Sequence, residues 1–296
     1  MIFDGSTLQE LSTDNDNVIR IENSVDFQIN DSTFEDIEAN VIFHVTGSEG
    51  SLTGSTFTSD QSAEIRAIHF QTSNVTVTDT EFDGFKQTDL AAAVYSQNSN
   101  TNFNDCRFFN NIADQGAGIY MDCMDADSCA YTISGNHFKN NTAHTMGASM
   151  AFNFYAPTLS DNTFEENTAP YGEDIASYAK KIQLDSTLQT TYVSGQAITV
   201  PLKFALLDVS DKPILTDTDS VLTISSVDQS QAKVIGNTDV TNAEFTDITF
   251  IAAPGSMNIN YQISSSNIDL DRLETALGIT EDDVISVIEI DFRECI

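Results

Sequence analysis

The most constraining feature of this 296-residue sequence is a motif that returns at nearly constant intervals through its first 180 residues. A short polar or glycine-containing triplet precedes an aromatic residue in Asp31-Ser32-Thr33-Phe34, Gly54-Ser55-Thr56-Phe57 and Asp79-Thr80-Glu81-Phe82. The same holds for Asp105-Cys106-Arg107-Phe108, Gly135-Asn136-His137-Phe138 and Asp161-Asn162-Thr163-Phe164. Asp4-Gly5-Ser6-Thr7-Leu8 reads as an earlier member, so successive apolar residues lie 26, 23, 25, 26, 30 and 26 residues apart. That period fits one turn of a β-solenoid and is short for most helical repeats. Within the units, alternating segments at 41–45, 65–70, 93–95, 118–121 and 149–152 read as strands. The fold expected is therefore all-β: a right-handed single-stranded parallel β-helix of about seven coils over residues 1–181, then a small β-sandwich-like domain over 182–296.

Stacked coils place residues of equal phase above one another at about 4.8 Å. Phe34, Phe57, Phe82, Phe108, Phe138 and Phe164 are expected to form one interior aromatic ladder. In the last three units Asn111, Asn141 and Asn167 follow the phenylalanine at +3, and Ala113, Ala143 and Ala169 follow at +5. Asparagine tolerates left-handed backbone angles and satisfies backbone groups at a tight corner, so these three predict an asparagine ladder. Gly116-Ala117-Gly118-Ile119, Gly147-Ala148-Ser149-Met150 and Gly172-Glu173-Asp174-Ile175 come next, with glycine where a sharp turn leads into a strand.

Phe-x-x-Asn followed by a degenerate Gly-Gly-Ala-Ile-like segment resembles the repeat of the chlamydial polymorphic outer-membrane proteins. The arrangement is still more similar to large cell-surface proteins of ciliated protozoa. In those, such repeats end in a segment like Tyr171-Gly172-Glu173-Asp174-Ile175-Ala176-Ser177-Tyr178, and a β-rich domain follows with a turn like Ala253-Pro254-Gly255-Ser256. The resemblance implies a parent protein that is extracellular, secreted or membrane-anchored, with a cysteine-rich region to follow. It supplies no ligand.

After Lys180-Lys181 the repeat stops, and alternating runs at 197–207, 221–224, 232–235, 244–252 and 257–263 suggest sandwich strands. Leu270, Leu273 and Leu277 share one face of a short expected helix, and 284–292 reads as a last strand.

Twelve Lys and Arg against 45 Asp and Glu give a net charge of −33. Nucleic acid is excluded as a partner because phosphate binding needs clustered cations, and an anionic membrane surface repels such a chain. No apolar run approaches the roughly 20 residues needed to span a bilayer. Met1-Ile2-Phe3-Asp4-Gly5 lacks the basic and apolar regions of a signal peptide. The repeats then favour an extracellular or cell-surface segment of a longer chain, contacting a membrane only through another segment. Its expected partners are other surface or extracellular proteins, or further domains of its own chain.

Cys123 and Cys129 bracket the insertion in the one unit whose spacing swells to 30, and in an extracellular setting a disulfide between them is expected. Cys106 is expected beside the ladder, buried and free, with a bond to a loop cysteine left open; Cys295 is expected unpaired. Asn30, Asn74 and Asn140 open N-x-Ser/Thr sequons and are candidate glycosylation sites. His44, His69, His137 and His144 lack metal-ligand spacing. The acidic clusters at Asp14 and Asp16, Asp125 and Asp127, Asp208 and Asp211, and Asp217 and Asp219 offer oxygens to Ca²⁺ but match no full Ca²⁺-binding loop. No other cofactor is expected, and no catalytic residue stands out. Seven cations are expected in the solenoid, Arg20, Arg66, Lys86, Arg107, Lys139, Lys180 and Lys181, and no strand phase collects two of them in adjacent units. The expectation is a non-enzymatic structural or adhesive segment. The alternative is a carbohydrate-active or carbohydrate-binding extracellular β-helix.

Overall fold

The computed structural model describes all residues except 10–16, 125–128, 190, 215–219, 266–267 and 295–296. The chain forms two compact units, Met1–Tyr178 and Ala179–Ile296. Every turn of the first unit contributes one strand to each of three parallel seven-stranded sheets. Sheet 1 runs from Ile2–Asp4 to Thr158–Ser160, sheet 2 from Thr7–Gln9 to Thr163–Glu165, and sheet 3 from Asn17–Glu22 to Ile175–Ser177. Sheets 1 and 2 bury one residue in two and show the other to the outside, whereas later strands of sheet 3 such as Met150–Phe152 are buried on both sides.

In-register pairing sets the phenylalanines on one another, Phe57 on Phe82 and Phe108 on Phe138 among them. Centroid distances along the stack are 4.7, 5.1, 5.1, 4.8 and 5.4 Å, with rings within 18° of parallel. Phe34 to Phe138 are fully buried, whereas Phe164 at the last turn is half-buried. Phe43 meets the stack edge-on at 4.9 Å from Phe34, and Ile29, Leu52, Val77, Phe103 and Ile133 close the core from sheet 1.

The asparagines form a continuous buried chain. Oδ1 of Asn141 accepts from both the backbone N–H and the Nδ2 of Asn111, each at 3.0 Å. Oδ1 of Asn167 accepts the same pair from Asn141. Each Nδ2 also donates to the carbonyl of the ladder phenylalanine one turn before, that of Phe82, Phe108 or Phe138. Asp174 ends the chain by accepting from Asn167 Nδ2 at 3.0 Å. Gly147, in phase with Gly116 and Gly172, holds φ +63°, and a Cβ there would stand 2.4 Å from the Met150 carbonyl oxygen.

Two further polar ladders were not read from the sequence. At the corner between sheets 1 and 2, Ser6 N–H donates to Ser32 Oγ, Ser32 N–H to Ser55 Oγ, Cys106 N–H to Asn136 Oδ1 and Asn136 N–H to Asn162 Oδ1. Cys106 is thus a member of a ladder rather than its neighbour. At the corner between sheets 3 and 1, Ser24, Ser48, Ser73 and Ser99 repeat the arrangement.

The second unit is antiparallel. Ala179–Leu184 pairs with Leu202–Asp208, and Leu222–Ser226, Ile259–Ser265 and Ser286–Ile290 form the body of another sheet. Phe204, Phe245, Phe250 and Tyr261 fill its core, Phe250 and Tyr261 at 4.5 Å. Lys180 and Lys181 lie in the first strand of this unit, so they are not solenoid cations as expected. The strand expected over 197–207 begins only at Leu202, because Pro201 has no N–H to give a ladder. The helix spans Leu270–Leu277, capped by Asp269 and Gly278, but Leu273 and Ala276 are its buried residues and Leu277 is exposed. The expected last strand is preceded by a helical turn, Glu281–Val284, and spans Ser286–Ile290.

Removing the ring of Phe138, packed between two others, is expected to cost roughly 3–5 kcal/mol in urea unfolding of Phe138→Ala. Asn141→Ala leaves Asn111 donors without an acceptor in the core and is expected to cost about 1–3 kcal/mol, read from the shift of the thermal midpoint. Midpoints equal to the parent protein would contradict the two ladders as sources of stability.

Candidate binding face

The outward side of sheet 3 carries a row of rings set by strand register. Arg20, His44, His69, Tyr95 and Tyr120 are successive cross-strand partners. His44 and His69 stack at 4.6 Å and 5°, and His69 and Tyr95 at 4.6 Å and 10°. Tyr120 turns edge-on to Tyr95 at 5.6 Å. Beyond Tyr95 the face is covered. Ile112–Gln115 and Thr142–Met146 belong to the chain segments that lie outside it, and Tyr120, Met146, Ala151 and Ala176 pack there as a satellite core. Tyr120 shares a 3.0 Å hydroxyl contact with Tyr178, whose hydroxyl donates to Gln115 at 2.8 Å.

Arg66 braces the row. Its guanidinium carbon is 5.2 Å from the centre of the Tyr95 ring, Nε donates to the Ala91 carbonyl at 2.8 Å, and Nη2 reaches Asp89 at 3.2 Å and the Leu90 carbonyl. Tyr95 in turn donates to Asp122 at 3.3 Å, and Asn17 Nδ2 lies 3.1 Å from His44 Nδ1. Nε2 of His44 and of His69 is buried without a hydrogen-bond partner among the described residues. Burial, Arg66 and His44 together push His69 down to about 3, so its imidazole is neutral at ordinary pH.

The sequence treated these histidines as belonging to separate units without a shared role. His44 and His69 are 25 residues apart, one repeat, and Tyr95 follows at 26, so their phase was the available signal. Face-to-face stacking keeps their nitrogens from converging on one point. Among the described residues no group of three or more His, Cys, Asp or Glu side chains comes together as a metal site. His137 instead sits 3.5 Å from Glu165 on sheet 2, and His144 is exposed.

The remaining candidates are dispersed. Cys123 and Cys129 are joined as a disulfide with Cα atoms 6.1 Å apart. Cys106 is a buried free thiol, bonded to the Asn104 carbonyl at 3.3 Å and pushed up to about 12 by burial. Cys295 lies outside the described residues, as do the acidic clusters at 14–16, 125–127 and 217–219. In the fourth cluster, Asp208 Oδ1 accepts from the Ser210 and Lys212 N–H groups, each at 2.8 Å. Asp211 pairs with Lys180 and Lys181, and the hydrogen bonds from these lysines, Lys181's first, hold its carboxyl below the usual range. Asn30 is half-exposed at the end of its sheet 1 strand, Asn74 is exposed at the start of its own, and Asn140 is exposed at a left-handed corner.

Three parallel sheets closed by internal ladders define a β-helix repeat protein. Residues 17–188 match the model of the right-handed β-helix region family, and the chain belongs to that family. No curated protein matches it. Among solved structures, the full-length tailspike protein 2 of Escherichia coli O157:H7 bacteriophage CAB120 aligns over 98% of this chain and 50% of that one. Identity is 13% and the TM-score 0.15, so this chain spans half the length of the tailspike and the likeness carries no argument.

The depressed His69 has a definite linkage. An unfolded histidine binds a proton below about 6.5 and the folded one does not, so stability falls as pH drops from about 6.5 towards 3. The slope from this group is about 1.4 kcal/mol per pH unit. Urea midpoints at pH 7.5, 6.5 and 5.5 are expected to fall in that order, and less steeply in His69→Gln. Equal slopes for the two proteins would show that His69 is not buried as described.

Proposed function

We propose that this chain is a non-catalytic structural and adhesive segment of a larger extracellular or cell-surface protein. It serves as a stiff spacer whose outer faces meet other surface proteins or further domains of the parent. The observation that carries this reading is the continuity of the ladders. Among the described residues, phenylalanine rings stack from turn to turn from Phe34 to Phe164, and asparagine side chains bond from Asn111 through Asn141 to Asn167. The Phe-x-x-Asn repeats and their likeness to ciliate surface proteins support the extracellular setting, as does the Cys123–Cys129 disulfide.

The solenoid cations support the absence of catalysis on acidic polysaccharides. Lysis of a uronate needs clustered cations or a metal ion beside a base. Here Arg20 pairs with Glu22 at 2.6 Å, Arg107 with Glu81 at 2.9 Å and Lys139 with Glu165 at 3.2 Å, while Arg66 is held by backbone carbonyls and Asp89. Arg20, Arg107 and Lys139 are thus engaged on their own or the adjacent strand, and Arg66 with the segment that leads into the adjacent strand.

The purified chain is expected to bind immobilised extracellular matrix or cell-surface fractions saturably. It is expected to release no unsaturated product from pectate, alginate or hyaluronan, with or without Ca²⁺. Steady product release would overturn the non-catalytic reading, and failure to bind any such surface would overturn the adhesive one.

A further inference from the structure

The outward side of sheet 1 differs in chemistry from that of sheet 2. In its six strands from Phe27–Asn30 to Thr158–Ser160, the last two outward positions are Ser, Thr, Asn or Gln throughout. Thr76 and Thr78, Asn102 and Asn104, and Thr132 and Ser134 form its centre, each row paired in register with the next. No charge and no apolar side chain occurs among these positions. Half of the equivalent outward positions of sheet 2 are charged, Glu35, Glu81, Asp83, Arg107, Lys139 and Glu165. In a chain that is 19% charged, the contrast between two faces of one coil is a property of the face.

Geometry makes this face a grid. Hydroxyl and amide groups recur at about 4.8 Å across the strands and about 6.6 Å along them. The side-chain amides of Asn74, Asn100 and Asn102 form no hydrogen bond to another described residue, so their donors and acceptors face outward unused. Along the border towards sheet 3 runs a groove of about 220 Å³, lined by Thr72, Asn74, Asn98 and Asn100 and by one charged side chain, Glu49.

We propose that the sheet 1 face and its bordering groove bind a neutral polysaccharide. This rests on the carbohydrate-binding alternative stated at the sequence level and gives it a place and a ligand class. Charge complementarity selects the class: an anionic polymer is repelled by a chain at −33, and a cationic one is drawn to the acidic faces instead. A protein partner is met by aromatic and arginine anchors, and these positions have none. A neutral glycan offers hydroxyls and ring oxygens alone, which an amide and hydroxyl grid can pair without desolvating a charge. Individual contacts of this kind are weak because water competes, so affinity comes from many equivalent contacts along a periodic polymer.

The test is affinity electrophoresis of the whole chain, made without N-glycans because glycans on Asn30 and Asn74 would stand on this face. Gels contain hydroxyethyl cellulose, mannan or xylan, with alginate as the anionic control. Retardation by at least one neutral polymer is expected, none by alginate, and at least tenfold weaker binding in Thr76→Lys/Asn102→Lys. Thr163→Lys, at an exposed outward position of sheet 2, is expected to bind as the parent does. Thr132→Lys, one turn further on, serves as the second variant if the double one does not fold. No retardation by any neutral polymer, or retardation that the lysine variants leave unchanged, overturns the proposal. If matrix or cell-surface binding survives that outcome, the adhesive reading stands and this inference alone fails.

Discussion

Everything in the first unit depends on parallel, in-register hydrogen bonding between successive turns. Once Phe82 is set opposite Phe57 and Phe108 by the backbone, every other phase of the turn is stacked on its counterpart as well. The constraint is severe, because like must lie on like at about 4.8 Å. Apolar residues gain from it: parallel rings add aromatic contact to burial, which is why phenylalanine holds one phase through six turns. No turn can cover its own apolar face, so each derives its stability from its neighbours.

Corners pose the opposite problem. A chain that reverses in two residues leaves N–H groups pointing along the axis rather than across a strand, and a buried unpaired N–H is costly. The molecule solves this with side chains that are donor and acceptor at once. Ser32 accepts from the turn before and donates to the Asn30 carbonyl two residues back. Ser55 and Cys106 make the same backward bond. Asn136 does so too, and its second amide proton also reaches the following asparagine. Serine, threonine, cysteine and asparagine are interchangeable at this phase because the requirement is one acceptor and one donor in a small volume.

That interchangeability explains what the sequence disclosed and what it hid. The phenylalanine and Asn111–Asn141–Asn167 rows were legible because a single residue type is repeated at one phase. The Ser6-to-Asn162 ladder was hidden because four residue types share it, and Cys106 was consequently assigned only a packing role. His44, His69 and Tyr95 were hidden for a related reason: they fall on the outward phase, where residue types vary, and their kinship shows only when the strands are laid in register. In the second unit no repeat fixes register, so strand limits followed local pattern and failed where Pro201 and the turn at Glu281–Val284 intervene.

The same stacking rule governs charge. Two like unit charges at about 4.8 Å in water repel by about 0.9 kcal/mol, and a solenoid repeats that distance at every turn. A chain at −33 must therefore distribute its acids by phase. On sheet 2 it alternates sign, so that Glu81 meets Arg107 in the next turn and Glu165 meets Lys139 in the one before. At the corner between sheets 1 and 2 it interposes glycine: the phase reads Asp31, Gly54, Asp79, Asp105, Gly135, Asp161, all in the left-handed region. Gly54 and Gly135 leave the space that the carboxylates of Asp31 and Asp105 occupy, since a Cβ at either would stand 2.4 Å from an Oδ1. Asp79 and Asp105, the one adjacent acidic pair between those glycines, have Arg107 reaching Asp79 at 3.7 Å. On sheet 1 the chain uses no charge from the second turn onward at the two outer positions. Repulsion alone does not require that third solution, because alternation works one corner away. The uncharged face is thus a choice of chemistry that folding leaves free, and a surface freed from the demands of folding is where recognition can be written.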